Sequence, residues 1–157
     1  MMMTQQTLWY FLHLIGVIIW AGGFVYLIMA FIPAMNAGTA SQERSLVLKQ
    51  AAAKFRRVSW IAIVLLIVTG IMNVLERVSI AQAGQLPSGG LLPSGYMGLL
   101  GVKMLIVIGL IVHHAMRLIE PRELEDGRVG LKSNATVIVA LLMFMLAVLM
   151  GLMLKTM

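Results

Sequence analysis

Apolar residues in this chain run in four long blocks separated by shorter polar segments, with none of the period-two alternation of a half-buried strand. The blocks extend from about Leu8 to Pro33, Val58 to Leu75, Tyr96 to Leu118 and Ala135 to Leu154. Each is close to the roughly 20 helical residues that cross a hydrocarbon core. The pattern predicts an all-α fold, an integral membrane four-helix bundle that makes residues 1–157 one transmembrane domain. Ser41 to Arg57 has a capping serine, an acidic first turn at Glu43 and no Gly or Pro, so it predicts a cytoplasmic extension of the second helix. Glu120-Pro121 is the expected stop of the third helix, because proline disfavours α geometry in the residue before it. The echo LPSGGLLPSG over 86–95 reads as a loop, and the first span, lacking a basic leader and a cleavage site, as retained.

Composition narrows the class. Of 157 residues, 61% are apolar and 11% charged, with a mean hydropathy of +0.96. Soluble domains average about 45–50% and about 25%. A soluble enzyme and a nucleic-acid module are excluded. The partner is a lipid bilayer. With no cysteine, disulfides, thiolate metal sites and cysteine nucleophiles are excluded too.

The net charge of +6 is unevenly placed. Arg44, Lys49, Lys54, Arg56 and Arg57 occupy the first loop, and Arg117, Arg122, Arg128 and Lys132 the third. The second loop has Arg77 and the tail Lys155. Basic loops stay in the cytoplasm, so both termini are expected outside.

Ionisable groups inside spans cost about 2.5–3.5 kcal/mol each at the helix centre on insertion scales, and so face a bundle interior or a cavity. The candidates are His13, Lys103, His113 and His114, with Thr69, Asn73 and Glu76 on one face of the second helix. His13, Lys103 and Asn73 come to similar depth in the outer leaflet. They predict a pocket closed by Glu76. Along the first helix His13, Gly16, Trp20, Gly23 and Leu27 form one stripe, in which the glycines admit a neighbouring helix or a flat cofactor. Helix packing alone, with His13 bonded to a carbonyl, accounts for the same stripe. Lys103 either snorkels to the interface or binds an anion, a propionate or a substrate.

His114 lies within about 20° of the Lys103 face, near the cytoplasmic end, and His113 points elsewhere. His13 and His114 differ in depth by roughly 15 Å, so one haem cannot be clamped between them. A second ligand beside His13 would be Met72, Met97, Met104, Lys103 or water. The 14 methionines offer soft thioethers for Cu(I), but also serve as flexible apolar filler. Gly98, Gly101 and Gly109 make a second stripe on the third helix, which predicts close approach of a neighbour in a homo-oligomer.

HLIGVIIWAGG in the first helix, FRRVSWIAIVLLIVTGIMN in the second and YMGLLGVKMLIVIGLIVHHAMR in the third resemble the membrane domain of the copper-resistance protein D (CopD) family. The resemblance covers most of three helices. It implies a multi-pass protein of the bacterial inner (cytoplasmic) membrane, concerned with copper handling or membrane redox. It also implies a metal centre, a copper ion or b-type haem, with His13 as the leading candidate ligand and His114 the next; if both are ligands, they serve different centres or take different partners. Lys103 would pair with an anionic group, while Trp20, Gly23 and Asn73 shape the site. The chain is also similar, more distantly, to HemJ-type protoporphyrinogen oxidases in the His13 to Trp20 spacing, Lys103 and His114. Those proteins carry a His just before the third-helix Lys, where this chain has Leu100, Gly101 and Val102, so any haem ligation here differs. That likeness implies a haem-dependent oxidase. A cofactor-free accessory membrane subunit is the remaining expectation.

Overall fold

A computed structural model describes residues 2–38, 41–86, 92–116, 122–123, 125, 128–130 and 134–156. Helix α1 spans Met2–Tyr26, a π-helical turn Leu27–Phe31 follows, and α2 spans Ile32–Gly38. Helix α3 runs unbroken over Ser41–Gln82, α4 over Tyr96–Ala115 and α5 over Asn134–Thr156. Between α4 and α5, β1 (Arg122–Glu123) and β2 (Val129–Gly130) make a two-residue antiparallel pairing. Four of the helical stretches are long and apolar enough to cross a membrane: Gln5–Ala37, Leu46–Gln82, Tyr96–Ala115 and Ile138–Thr156. This is the signature of a multi-pass membrane protein. The side chains of Arg44 and Arg122, and residues Arg117, Glu120, Pro121, Lys132 and 87–91, lie outside the described residues.

Helix ends follow local chemistry. Pro33 does not end the first helical stretch as its missing N–H suggests. The chain widens into one π turn, in which the Ile32 N–H bonds Leu27 O, and continues as α2. Helix α3 stops in a Schellman arrangement: Gln85 N–H donates to Ile80 O at 3.2 Å and Gly84 N–H to Ala81 O at 3.0 Å. Gly84 takes φ +69°, which a side chain would strain. Across the following loop, Gly95 at φ +90° opens α4.

Helices α1 and α3 pack antiparallel, as do α4 and α5. Small residues set the spacing, because apolar burial gives no drive between helices in lipid. A Cβ on Gly16 would come within 2.9 Å of Leu66 Cγ, and one on Gly109 within 2.8 Å of Met143 Cε. The two pairs join through Trp20, Phe24, Ala62, Ile63, Leu110, Ala140 and Phe144, a core drawn from all four long helices. The N-terminus, the α3–α4 loop and the C-terminus share one end, here the terminal end. The α2–α3 and α4–α5 connections share the other, the loop end.

At the loop end Val129 is buried with Met35 and Leu48. Asn36 holds it there: Nδ2 donates to Val129 O at 2.9 Å, and Val129 N–H donates to Oδ1 at 2.7 Å. The amide thus pairs with one residue's backbone as a strand would. Elsewhere much of the apolar surface points outward, Ile61, Leu105 and Met145 among it. A soluble protein would hide such residues; their exposure is compatible with a bundle surrounded by a bilayer.

Candidate functional site

Two polar layers cross the bundle. The first is toward the terminal end. There the Lys155 ammonium lies 4.2 Å from the centre of the Tyr10 ring, which brings α5 beside α1. One turn deeper on each helix come His13 and Gly151, joined by Thr69 from α3 and Lys103 from α4.

His13 Nδ1 is 2.9 Å from Thr69 Oγ1, and that hydroxyl is 2.7 Å from Leu65 O. A hydroxyl has one proton, and Leu65 O can only accept it. With that proton on Leu65 O, Thr69 accepts from His13, an assignment that puts the imidazole proton on Nδ1 and the lone pair on Nε2. Gly70 makes room for the ring: a Cβ there would stand 3.4 Å from His13 Cε1. Gly151 does the same for Lys103, whose Nζ would be 3.3 Å from its Cβ. Gly151 is one turn from Lys155, and Lys155 meets Tyr10 one turn from His13, which puts Lys103 and His13 in one interior layer. Lys103 has no ion pair or hydrogen bond among the described residues.

The second layer is near the loop end. His114, 3% exposed, sits among three aromatic rings: Trp60 at 5.5 Å, Trp20 at 6.1 Å and Phe55 at 6.2 Å between centroids, all edge-on or tilted. Phe144 meets Trp20 edge to face at 4.7 Å. Gly23 lies against Phe55, where a Cβ would be 3.4 Å from Cε2. Trp20, 4% exposed, buries its Nε1–H with no acceptor among the described residues.

The expected site residues thus divide. His13 and Lys103 belong to one layer; Trp20, Gly23 and His114 belong to the other. His114 is eleven residues beyond Lys103 on α4, about 16 Å along the axis. Asn73 is half-buried one turn above Thr69 and has no hydrogen bond to His13, so Thr69 takes the place expected for it. Glu76, a further turn out, buries Oε2 without a partner among the described residues. His113 is half-buried with both ring nitrogens unpartnered among the described residues.

Of the thioethers, Met97 (63% exposed) and Met104 (51%) face outward, and Met72 is half-buried. Among the described residues no three His, Asp or Glu side chains converge. Gly98 and Gly101 are open, whereas Gly109 meets Met143 within the chain, so the expected stripe divides as well.

Thr69 and Gly151 are the members of the first layer that sequence reasoning undervalued. The signal for Thr69 was present, a hydroxyl seven residues before Glu76 on the polar face. Gly151 is a single small residue in an apolar run, and only the facing Lys103 gives it meaning.

Compared with protein-family models, curated proteins and solved structures, the chain finds no match.

Proposed function

We propose that this chain is a CopD-like, multi-pass protein of the bacterial inner membrane that holds a single-imidazole metal centre in the His13 layer, with both termini outside. The observation that carries the proposal is the 2.9 Å approach of His13 Nδ1 to Thr69 Oγ1, an oxygen partner for the ring. Metal-bound imidazoles commonly donate their second ring N–H to an oxygen, which orients the ring and raises its basicity. Nδ1 of His13 is so placed against Thr69 Oγ1, and Nε2 would be the atom that ligates.

The donor set favours b-type haem over a copper ion. Outward-facing Met97 and Met104 take two thioethers away from His13, and a porphyrin supplies four of the ligands that the protein does not. Lys103 offers a cation to a propionate, and the bare backbone of Gly70 and Gly151 keeps side chains back from both groups. His114 would serve the second layer only. The orientation is supported by the described basic residues: Lys49, Lys54, Arg56, Arg57 and Arg128 are at the loop end, Arg77 and Lys155 at the terminal end.

The visible spectrum of protein purified in mild detergent, with elemental analysis, tests this. A Soret band that shifts on dithionite reduction and is lost in His13→Ala is expected. Stoichiometric copper without a Soret band would move the same site to copper handling. Neither centre, or a haem retained by His13→Ala, would overturn the assignment.

A further inference from the structure

The outward face of α3 carries a feature independent of what His13 binds. Lys54, Arg57, Ile61, Val64, Val68 and Ile71 are all exposed and follow one another at spacings of three and four. At 100° per residue they stay within about 100° of arc, one continuous stripe. Its loop-end head is two cations a single turn apart. Neither Lys54 nor Arg57 has an ion pair or hydrogen bond among the described residues. No acidic residue occurs on α3 between Glu43 and Glu76 to neutralise them. Below the pair, Ile61 to Ile71 extends about 15 Å, half the thickness of a hydrocarbon core and so one leaflet deep.

We infer that this stripe is a binding site for an anionic phospholipid. The headgroup phosphate lies between Lys54 and Arg57, and one acyl chain follows Ile61, Val64, Val68 and Ile71. Charge complementarity selects the headgroup. Arg57 supplies a planar fork that can bond two phosphate oxygens, and Lys54 supplies a point charge. The apolar run keeps the acyl chain against protein where a soluble phosphate would find nothing. Lys49 is also exposed on α3 but lies off the stripe, roughly 80° from Arg57.

The full chain in nonionic detergent, titrated with phosphatidylglycerol, phosphatidylcholine and inorganic phosphate, tests the site by native mass spectrometry. Expected is preferential retention of phosphatidylglycerol, undisturbed by millimolar phosphate. Lys54→Gln/Arg57→Gln should weaken it about 30-fold, or about 2 kcal/mol at 1.4 kcal/mol per tenfold, from about 1 kcal/mol per basic residue. Lys49→Gln should change it less than threefold. Equal binding of both lipids by the wild-type chain would overturn the proposal, whatever the variants do. So would displacement by free phosphate, or an equal loss in Lys49→Gln.

Discussion

Thr69→Val isolates the bond on which the His13 assignment depends. Valine matches threonine in shape, so the buried site gains no cavity and loses only the hydroxyl. That hydroxyl lies 2.9 Å from His13 Nδ1, 2.7 Å from Leu65 O and 3.4 Å from Leu66 O. Leu65 O keeps its ordinary helical partner, the Thr69 N–H, and is not orphaned. The His13 ring loses the hydroxyl and keeps the Leu66 backbone as a partner. An unsatisfied buried donor costs about 1–3 kcal/mol, and a half-buried ring with one partner left places the loss at the lower figure, about 1 kcal/mol. Thermal unfolding in detergent should report that much. A second effect concerns the ligand: releasing the ring from its oxygen partner should weaken the centre by about 10- to 100-fold, the usual cost of a lost outer hydrogen bond. Haem titration followed at the Soret band measures it, and Thr69→Ser should restore both quantities. In the ligand-free protein, nitrogen NMR of labelled histidine should find the His13 proton on Nδ1. A proton on Nε2, or a valine variant that loses stability but binds haem as before, would refute the orienting role.

Other substitutions test packing and the site separately. Gly16→Ala should destabilise by about 1–3 kcal/mol, because its methyl meets the branch point of Leu66. Gly109→Ala meets only the flexible end of Met143 and should cost clearly less; equal melting shifts would contradict this order. Asn36→Ala strips both partners from the buried backbone of Val129 and should cost about 1–3 kcal/mol, with faster amide exchange at Val129 as the local readout. His13→Ala should abolish the centre while leaving helicity unchanged by circular dichroism.

Which features could be read from sequence follows from the physics of each. Span length and apolar content are properties of single segments, so the four helices and the extension of α3 back to Ser41 were legible. Pro33 misled, because whether a proline ends a helix depends on how neighbouring turns absorb it, here by the π turn. Angular position on a helix was legible as well: it put Lys103 and His114 on one face of α4, and in the structure that face turns inward. Pairing between helices was not. Asn73 and Thr69 share a face of α3, and only the register of α1 against α3 decides which of them meets His13. Trp20 shows the same limit: it shares a stripe with His13, but seven residues of rise, about 10 Å, carry it into the His114 layer. The Asn36–Val129 pairing joins segments 93 residues apart and left no local signal.

Lys103 separates structural from functional accounts of the first layer. An ammonium in a helix core costs about 2.5–3.5 kcal/mol on insertion scales, and this one gains no acid partner among the described residues in return. Against Gly151 its chain is held inside the bundle rather than turned to the interface. Nothing in the packing requires the charge; methionine has a similar length and no desolvation cost. Lys103→Met should therefore raise the melting temperature and, at the same time, weaken haem binding. Opposite signs are the test, since a lysine kept for packing would lose stability on substitution and one that only snorkels would change neither. A Lys103→Met protein that melts lower, or that binds haem with unchanged affinity, would leave the ammonium without a role at His13.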